Sequence, residues 1–210
     1  MPAVLIIGAS RGLGLALVDV HLADGWKVHG TTRGSGVPRD HPNLVLHHLE
    51  VRDRSQLERM IQELDQPFDR MIHNAGIKSA PRGELIEVNA KAPIRVIERL
   101  IEVGRLKAGG TVAIMTSRLG ARGGTSGSLG DYGDSKAALN DEFRLRTNRW
   151  GKAGALAVVI HPGWVRTEMG GPKADLSVEE SVKGIKLVLD SLTPADHGKF
   201  LAWNGETHQW

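Results

Sequence analysis

The sequence predicts one α/β domain, in which helices cover both faces of a doubly wound parallel sheet of seven strands. Three observations lead to this prediction. Short apolar runs alternate with amphipathic stretches, as they do where helices join the strands of a parallel sheet. The chain of 210 residues is long enough for one substantial core. It contains no repeat, linker or low-complexity tract, so a single domain should span residues 1–210.

The apolar runs place the strands. The first strand, Val4–Ile7, is unbroken and leads directly into a glycine-rich turn, so we expect it to be buried. The other strands are expected at Lys27–Thr32, Leu44–Val51, Arg70–His73, Thr111–Thr116, Leu156–His161 and Phe200–Trp203. The expected strand order is 3-2-1-4-5-6-7, which places a ligand at the carboxyl ends of the strands, where the order reverses.

Helices should lie between these strands, at Gly12–Ala23, Ser55–Leu64, Glu84–Val103, Tyr132–Gly151 and Val178–Leu192. The second of these helices carries apolar residues at the i, i+3, i+4 and i+7 spacing of a buried face. Ser177 and Glu180 have the spacing of a capping box that opens the last helix. The glycine-rich stretch Gly120–Gly133 is expected to be a loop that leads into the fourth helix.

Composition excludes several classes of function. The chain has no cysteine, which excludes disulfides and thiolate chemistry and agrees with a cytoplasmic location. Its apolar start is interpreted as a strand and not as a signal peptide. No apolar run approaches the ~20 residues of a membrane span, so we expect no membrane partner.

The charged residues do not indicate a nucleic-acid partner. The net charge is +3, and the positive residues are spread along the chain. The densest basic stretch lies on a predicted helix and consists of Arg144, Arg146, Arg149 and Lys152. We interpret it as a solvated helix face, with a nucleic-acid patch as the alternative.

The nine histidines do not form a metal-binding pattern. None belongs to a His-Glu-x-x-His motif, and no cysteine is present to assist. His47 and His48 are adjacent on a predicted strand, so their side chains should face opposite sides of the sheet. We therefore expect no metal site.

A glycine-rich segment joins the first strand to the first helix. It reads Gly8-Ala-Ser-Arg-Gly-Leu-Gly14, which permits a tight turn and a close approach of the backbone to a pyrophosphate at the helix N-terminus. The alternative is a turn whose glycines serve packing alone. The candidate binding residues of this segment are Gly8, Ser10, Arg11, Gly12, Leu13 and Gly14.

The end of the second strand favours NADP(H) over NAD(H). An acidic residue there would bind the ribose 2′-hydroxyl, but this chain has Thr32 followed by Arg33. An arginine suits a 2′-phosphate, and Arg11 in the glycine-rich segment is a second candidate for the same group. The alternative is that both are surface arginines without a ligand.

Tyr132 and Lys136 are four residues apart, so they share one face of a predicted helix. An ammonium beside a phenol stabilises the phenolate, so we expect the pKa of Tyr132 to fall toward neutrality. Such a phenol could donate a proton to a carbonyl oxygen at physiological pH. Alone, the pair is a weak signal, because surface helices carry such pairs by chance.

Taken together, the motifs resemble those of the short-chain dehydrogenase/reductase superfamily, from about Val4 to the C-terminus. Within it the chain is most similar to the small C-factor-like carbonyl reductases, of which one namesake has a signalling role. The motifs that carry the resemblance are the glycine-rich segment, His73-Asn-Ala-Gly76, Val88-Asn-Ala90, Thr116-Ser-x-x-Gly120, Tyr132-x-x-x-Lys136 and Pro162-Gly-Trp-Val-Arg-Thr167. The resemblance implies a Rossmann-type fold and an NADP(H)-dependent oxidoreductase.

The resemblance also assigns catalytic roles. Tyr132 would be the general acid in reduction, and Lys136 would lower its pKa and hold the nicotinamide ribose. Ser117 would polarise the substrate carbonyl, and Asn89 would hold a water that links Lys136 to solvent. The implied cofactor contacts beyond the glycine-rich segment, Arg33 and Lys136 are Glu50, Val51, Asn74, Ala75, Gly76, Pro162, Gly163, Val165 and Thr167.

The chain departs from the family pattern in three places. His73 stands where the family usually has asparagine, and Glu50 replaces the usual aspartate at the adenine contact. Asn74 and Asn89 are closer in sequence than the family pattern leads us to expect, by roughly ten residues. One helix and its lead-in, which would form a wall beside the site, are therefore expected to be shortened.

Three functions fit these motifs. The first is reduction of a ketone or aldehyde, or oxidation of the corresponding alcohol, with a small-molecule substrate. The second is a nucleotide-binding signalling or redox-sensing protein with little turnover. The third is a pteridine or quinone reductase, which differs from the first only in its substrate. Trp164 would cap the substrate or pack under Glu168–Leu176, which is either a mobile lid or a plain surface loop. The helices Glu84–Val103 and Tyr132–Gly151 resemble those that the family uses for homodimers and homotetramers, although they equally suit a monomer.

Overall fold

The fold is seen in a computed structural model that describes residues 1–34, 39–122 and 130–210. One sheet has the order β3-β2-β1-β4-β5-β6-β7, and all neighbouring strands are parallel. The predicted doubly wound sheet and its strand order are therefore confirmed. The strands are β1 (Ala3–Ile7), β2 (Lys27–Thr32), β3 (Leu44–His48), β4 (Phe68–His73), β5 (Leu106–Met115), β6 (Leu156–His161) and β7 (Phe200–Ala202).

Helices cover both faces of the sheet. They are α1 (Gly12–Ala23), α2 (Arg54–Glu63), α3 (Arg82–Ile86), α4 (Ala92–Glu102), α5 (Gly130–Lys152) and α6 (Val178–Ser191). One buried apolar cluster joins α1 and α6 to one face of the sheet, and another joins α2, α4 and α5 to the opposite face. Every residue of β1 is fully buried between these clusters, and each large aliphatic side chain there contributes about 1.5–3 kcal/mol.

The local signal that predicted the start of the last helix is confirmed. Ser177 and Glu180 form the capping box of α6, with a hydrogen bond in each direction. Asp53 caps α2 by accepting hydrogen bonds from the amides of the first turn. The predicted buried face of α2 is also present, because Leu57, Met60 and Ile61 are buried.

Two strand boundaries differ from the prediction by more than two residues. β3 ends at His48 and not at Val51, since its partner β2 ends opposite it and the chain then turns into α2. β5 begins at Leu106 and not at Thr111, since Leu106 already pairs with Phe68 before a shift in register. Residues 123–129 of the predicted loop Gly120–Gly133 lie outside the described residues. The start of the predicted loop belongs to a 3₁₀ turn, Arg118–Gly120, and its end is already helical, because α5 begins at Gly130.

The predicted helix Glu84–Val103 contains an interruption. A π-helical turn, Glu87–Lys91, separates α3 from α4 and carries Asn89. Such a turn holds an extra residue and often marks a functional site. Here it directs the Asn89 side chain inward, where it is completely buried.

Candidate functional site

The glycine-rich segment is held by close packing against the end of β4. Gly8 has φ +85°, and a Cβ there would lie 2.8 Å from the Ala75 Cα. At Gly14 a Cβ would lie 1.9 Å from the Gly8 carbonyl oxygen. Neither position accepts a side chain without displacement of the backbone, so both glycines are required by this packing.

The start of α1 fits a pyrophosphate. The residue before the helix, Arg11, makes no side-chain cap, and the first turn contains no acidic residue. The first amides therefore form a positive helix end, to which the first turn adds no compensating negative charge. Around it, Ser10, Arg11 and Gly12 are exposed, and Leu13 is half-buried.

Arg11 reaches across the site and forms an ion pair with Glu168. Both side chains are largely exposed, so this pair contributes little to stability. A competing phosphate could therefore recruit the Arg11 guanidinium at small cost.

Charged side chains meet beyond the end of β2. The exposed Arg33 donates a hydrogen bond of 3.4 Å from Nη1 to Oε2 of Glu50, and Arg52 Nε lies 3.3 Å from Oε1 of the same carboxylate. Burial acts to raise the pKa of Glu50, but hydrogen bonds from Arg52 and Arg33 outweigh it and lower the pKa. Val51 is buried in the core, and its carbonyl accepts a hydrogen bond from Arg95.

The loop after β4 braces the glycine-rich segment. Asn74 Nδ2 donates to the Gly8 carbonyl over 2.9 Å. The backbone amides of Asn74 and Ala75 both donate to the carbonyl of Ile7, again over 2.9 Å. Gly76 then approaches the centre of the site, since a Cβ there would lie 3.7 Å from the Lys136 Nζ.

His73, at the end of β4, is 1% exposed. Neither ring nitrogen has a hydrogen-bond partner among the residues that the structure describes. Burial, with the nearby charge of Lys136, lowers the pKa of His73 to about 3. The imidazole is therefore neutral at physiological pH and lies beside the catalytic candidates.

Asn89, on the π-helical turn, hydrogen-bonds to the loop after β4 and to α5. Its Oδ1 accepts from the Ile77 amide over 2.9 Å, and its Nδ2 donates to the Ile77 carbonyl over 2.7 Å. Nδ2 also donates to the Ser135 Oγ over 3.0 Å. The side-chain amide is thus occupied by protein partners, so a water-holding role at this residue would depend on its backbone carbonyl.

Tyr132, Lys136 and Ser117 meet at the carboxyl edge of the sheet, but the expected effect of Lys136 on Tyr132 is wrong for this structure. The buried Lys136 Nζ donates to the Met115 carbonyl over 2.9 Å. Burial raises the pKa of Tyr132 to about 12, although a hydrogen bond with Ser117 opposes the rise. Desolvation of the phenol therefore dominates here, whereas the sequence argument considered only the neighbouring charge.

Burial also lowers the pKa of Lys136 to about 8. At neutral pH Tyr132 therefore keeps its proton, and Lys136 is mostly charged. A protonated phenol beside a serine hydroxyl has the chemistry of a proton donor toward an oxygen atom.

The segment after β6, Pro162–Thr167, closes the other side of the site. The Pro162 carbonyl accepts from Ser181 Oγ over 2.6 Å, and Val165 pairs with Leu176 as an isolated bridge. Gly163 has φ +86° and lies against Leu176. Thr167 lies beside the glycine-rich segment, because its Cγ2 would be 3.5 Å from a Cβ at Gly12.

The next residues, Glu168–Leu176, form what we call the lid segment. Trp164 packs against it, since the indole Nε1 donates to the Gly170 carbonyl over 2.8 Å. The indole nevertheless stays 49% exposed, and Met169 stays 42% exposed.

The sequence argument missed Lys78. Its Nζ donates to the Met169 carbonyl over 3.2 Å, so the lysine connects the loop after β4 to the lid segment. The sequence indicated its position only indirectly, because Lys78 comes two residues after Gly76, the last residue of the motif His73-Asn-Ala-Gly76. No described helix is long and apolar enough to cross a membrane.

Comparison with known proteins gives a consistent result. A family model described as short chain dehydrogenase matches residues 2–176. The chain is 36% identical to C-signal of Myxococcus xanthus over 155 residues, which are 69% of this chain and 93% of that protein.

Two solved structures are similar over the whole chain. One is a carbonyl reductase from Pseudomonas aeruginosa PAO1 in complex with NADP, with 33% identity, a TM-score of 0.82 and coverage of 100% of both chains. The other is an NADPH-bound carbonyl reductase from chicken fatty liver, with 29% identity, a TM-score of 0.88 and coverage of 100% of this chain and 94% of that one.

Proposed function

Since the chain belongs to the short-chain dehydrogenase family of oxidoreductases, we propose that it transfers hydride between NADP(H) and a small carbonyl or alcohol substrate. The observation that carries the proposal is the meeting of Ser117, Tyr132 and Lys136 at the carboxyl edge of the sheet. The similarity to NADP-bound and NADPH-bound carbonyl reductases supports both the reaction and the cofactor.

The residues of the site fit this cofactor. The uncapped start of α1 and the packed glycines Gly8 and Gly14 suit a pyrophosphate. Arg33 and Arg11 would hold a 2′-phosphate, while Glu50 and Val51 would border the adenine. Ala75, Gly76, Pro162, Gly163, Val165 and Thr167 would position the rest of the dinucleotide. When bound, the cofactor supplies hydride.

The protein would supply the proton and the orientation. Ser117 and Tyr132 would both hydrogen-bond the carbonyl oxygen, and Tyr132 would transfer its proton to that oxygen as negative charge develops. The buried ammonium of Lys136 has two donors beyond the one given to Met115, and these would hold the ribose. The phenol of Tyr132 is protonated at neutral pH, as a proton donor must be, although its raised pKa makes it a weaker acid than an ordinary tyrosine.

Turnover is the direct test. We expect NADPH to be consumed in the presence of aromatic and aliphatic ketones and aldehydes, with one alcohol formed for each NADPH oxidised. Absorbance at the nicotinamide band and chromatography of the product measure both quantities. A broad carbonyl panel that produces no alcohol would contradict the proposed activity.

The second candidate is a signalling protein that keeps the fold with little turnover, and the similarity to C-signal favours it. The panel of carbonyl compounds distinguishes the two candidates. A signalling protein of this kind would bind NADPH tightly, yet it would reduce none of the carbonyl compounds.

Cofactor choice gives a separate prediction. The double change Thr32→Asp with Arg33→Ala should erase or reverse a preference for NADPH over NADH. A charge-assisted contact to the 2′-phosphate is worth roughly 1.5–3 kcal/mol, or about ten- to a hundred-fold in affinity. Arg11 would retain part of the phosphate binding, so inversion of the cofactor preference need not be complete.

Titration of both reduced cofactors measures the effect, with Arg54→Ala, an exposed arginine on α2, as the control. Equal affinity of the wild type for both cofactors would remove Arg33 from this role.

A further inference from the structure

Lys78 is a charged residue on a fixed support beside the site. Its neighbour Ile77 is hydrogen-bonded by Asn89 at both its amide and its carbonyl. Gly76, one residue earlier, approaches the Lys136 Nζ. The backbone that carries Lys78 is therefore held in place relative to Tyr132 and Lys136, although its side chain is solvent-exposed.

Lys78 has no carboxylate partner among the described residues. Its hydrogen bond goes to the Met169 carbonyl. The nearest acidic residue along the lid segment, Glu168, is paired with Arg11. An ammonium has three donors, so two remain for a ligand.

An apolar surface lies next to this charge. Trp164 and Met169 are both substantially exposed, and the indole is held by its hydrogen bond to Gly170. An exposed, oriented indole offers a flat face on which an aromatic ring can stack. Trp164 and Lys78 thus hydrogen-bond to adjacent residues of the lid segment, Gly170 and Met169.

We propose, building on the carbonyl reduction proposed above, that the substrates are aryl ketones or aldehydes that carry a carboxylate, with the ring on Trp164 and the carboxylate on Lys78. In the reaction, hydride adds to the carbonyl carbon and the Tyr132 proton goes to the oxygen, which gives the hydroxy acid and NADP⁺. The carboxylate is unchanged. Lys78 is therefore a specificity-determining residue and takes no part in the chemical step.

The test compares 4-oxo-4-phenylbutanoate with its methyl ester, which keeps the ring and the ketone but lacks the charge. We expect the wild type to prefer the acid in kcat/KM, mainly through KM. Lys78→Met should lower kcat/KM for the acid about tenfold, as expected for loss of one exposed charge-assisted hydrogen bond, and leave the ester unchanged. Lys78→Arg should retain most of the preference. The control is Lys152→Met, an exposed lysine at the end of α5.

A binding measurement tests the same inference without turnover. Calorimetric titration of the acid into each variant with NADP⁺ present should show the same Lys78 dependence, and Trp164→Ala should weaken acid and ester alike. Equal use of acid and ester by the wild type, or an equal effect of Lys78→Met on both, would overturn the inference while carbonyl reduction still stands. Lys78-dependent binding without any turnover would instead support this inference and count against the proposed reaction.

Discussion

Replacement of Tyr132 by phenylalanine is expected to lower the rate of carbonyl reduction by about 10²–10⁴, because the substrate oxygen then loses its positioned acid. The affinity for NADPH should stay nearly unchanged, because the phenol acts on the substrate and not on the phosphates. Steady-state reduction and NADPH titration measure the two effects separately. A variant that retains more than half of the wild-type turnover would exclude Tyr132 as the acid.

The protonation state of this phenol can be measured directly, because Tyr132 is the only tyrosine in the chain. Its raised pKa of about 12 means that tyrosinate absorbance should be nearly absent at pH 10.5 in the cofactor-free protein. An ordinary tyrosine would be mostly ionised at that pH. Strong tyrosinate absorbance from folded protein would contradict the burial of the phenol.

Acid is expected to unfold the protein cooperatively between about pH 6 and pH 4, because four largely buried histidines are neutral in the fold. Burial lowers the pKa of His21, His29 and His161 to about 4, and that of His73 to about 3, from 6.5. Below pH 6.5 the unfolded chain binds these protons and the folded chain does not, so the free energy of unfolding falls as pH falls. Each group contributes up to about 1.4 kcal/mol per pH unit, which is large against a total stability of about 5–15 kcal/mol.

Neighbouring charges modify this dependence. Asp65 lies 3.7 Å from His29 and favours its protonation, whereas Arg70 beside His21 opposes it. Chemical denaturation between pH 7 and pH 4.5 gives the slope for the wild type. His73→Asn should reduce that slope by the amount that corresponds to one proton taken up on unfolding. Stability that is constant over this range would contradict the neutral, buried state of the four rings.

The sequence was sufficient to predict those parts of the fold that depend on local sequence patterns. Alternation of apolar runs and helical stretches led to the parallel sheet, and the Ser177–Glu180 spacing led to the start of α6. The π-helical turn could not be predicted in this way. Its residue Asn89 hydrogen-bonds to Ile77, which lies 12 positions earlier in the sequence, and this contact forms only in the folded chain.

The electrostatics of the site were the least predictable feature. A spacing of four residues correctly placed Tyr132 and Lys136 on one helix, α5. It could not predict that Lys136 donates to the Met115 carbonyl or how far the phenol is desolvated, because both depend on β5 and the surrounding loops. Lys78 was overlooked for a similar reason, since its contact with Met169 joins residues 91 positions apart.

The hydrogen bonds of Asn89 have a consequence for how kinetic data at this position are interpreted. The same amide immobilises Ile77, which precedes Lys78, and holds Ser135, which precedes Lys136. A change at Asn89 would therefore disturb substrate selection and the catalytic helix at once. Loss of turnover in such a variant would then combine two effects. The loop that carries Lys78 and the helix that carries Lys136 would both be misplaced, and any interruption of proton delivery would add to the loss.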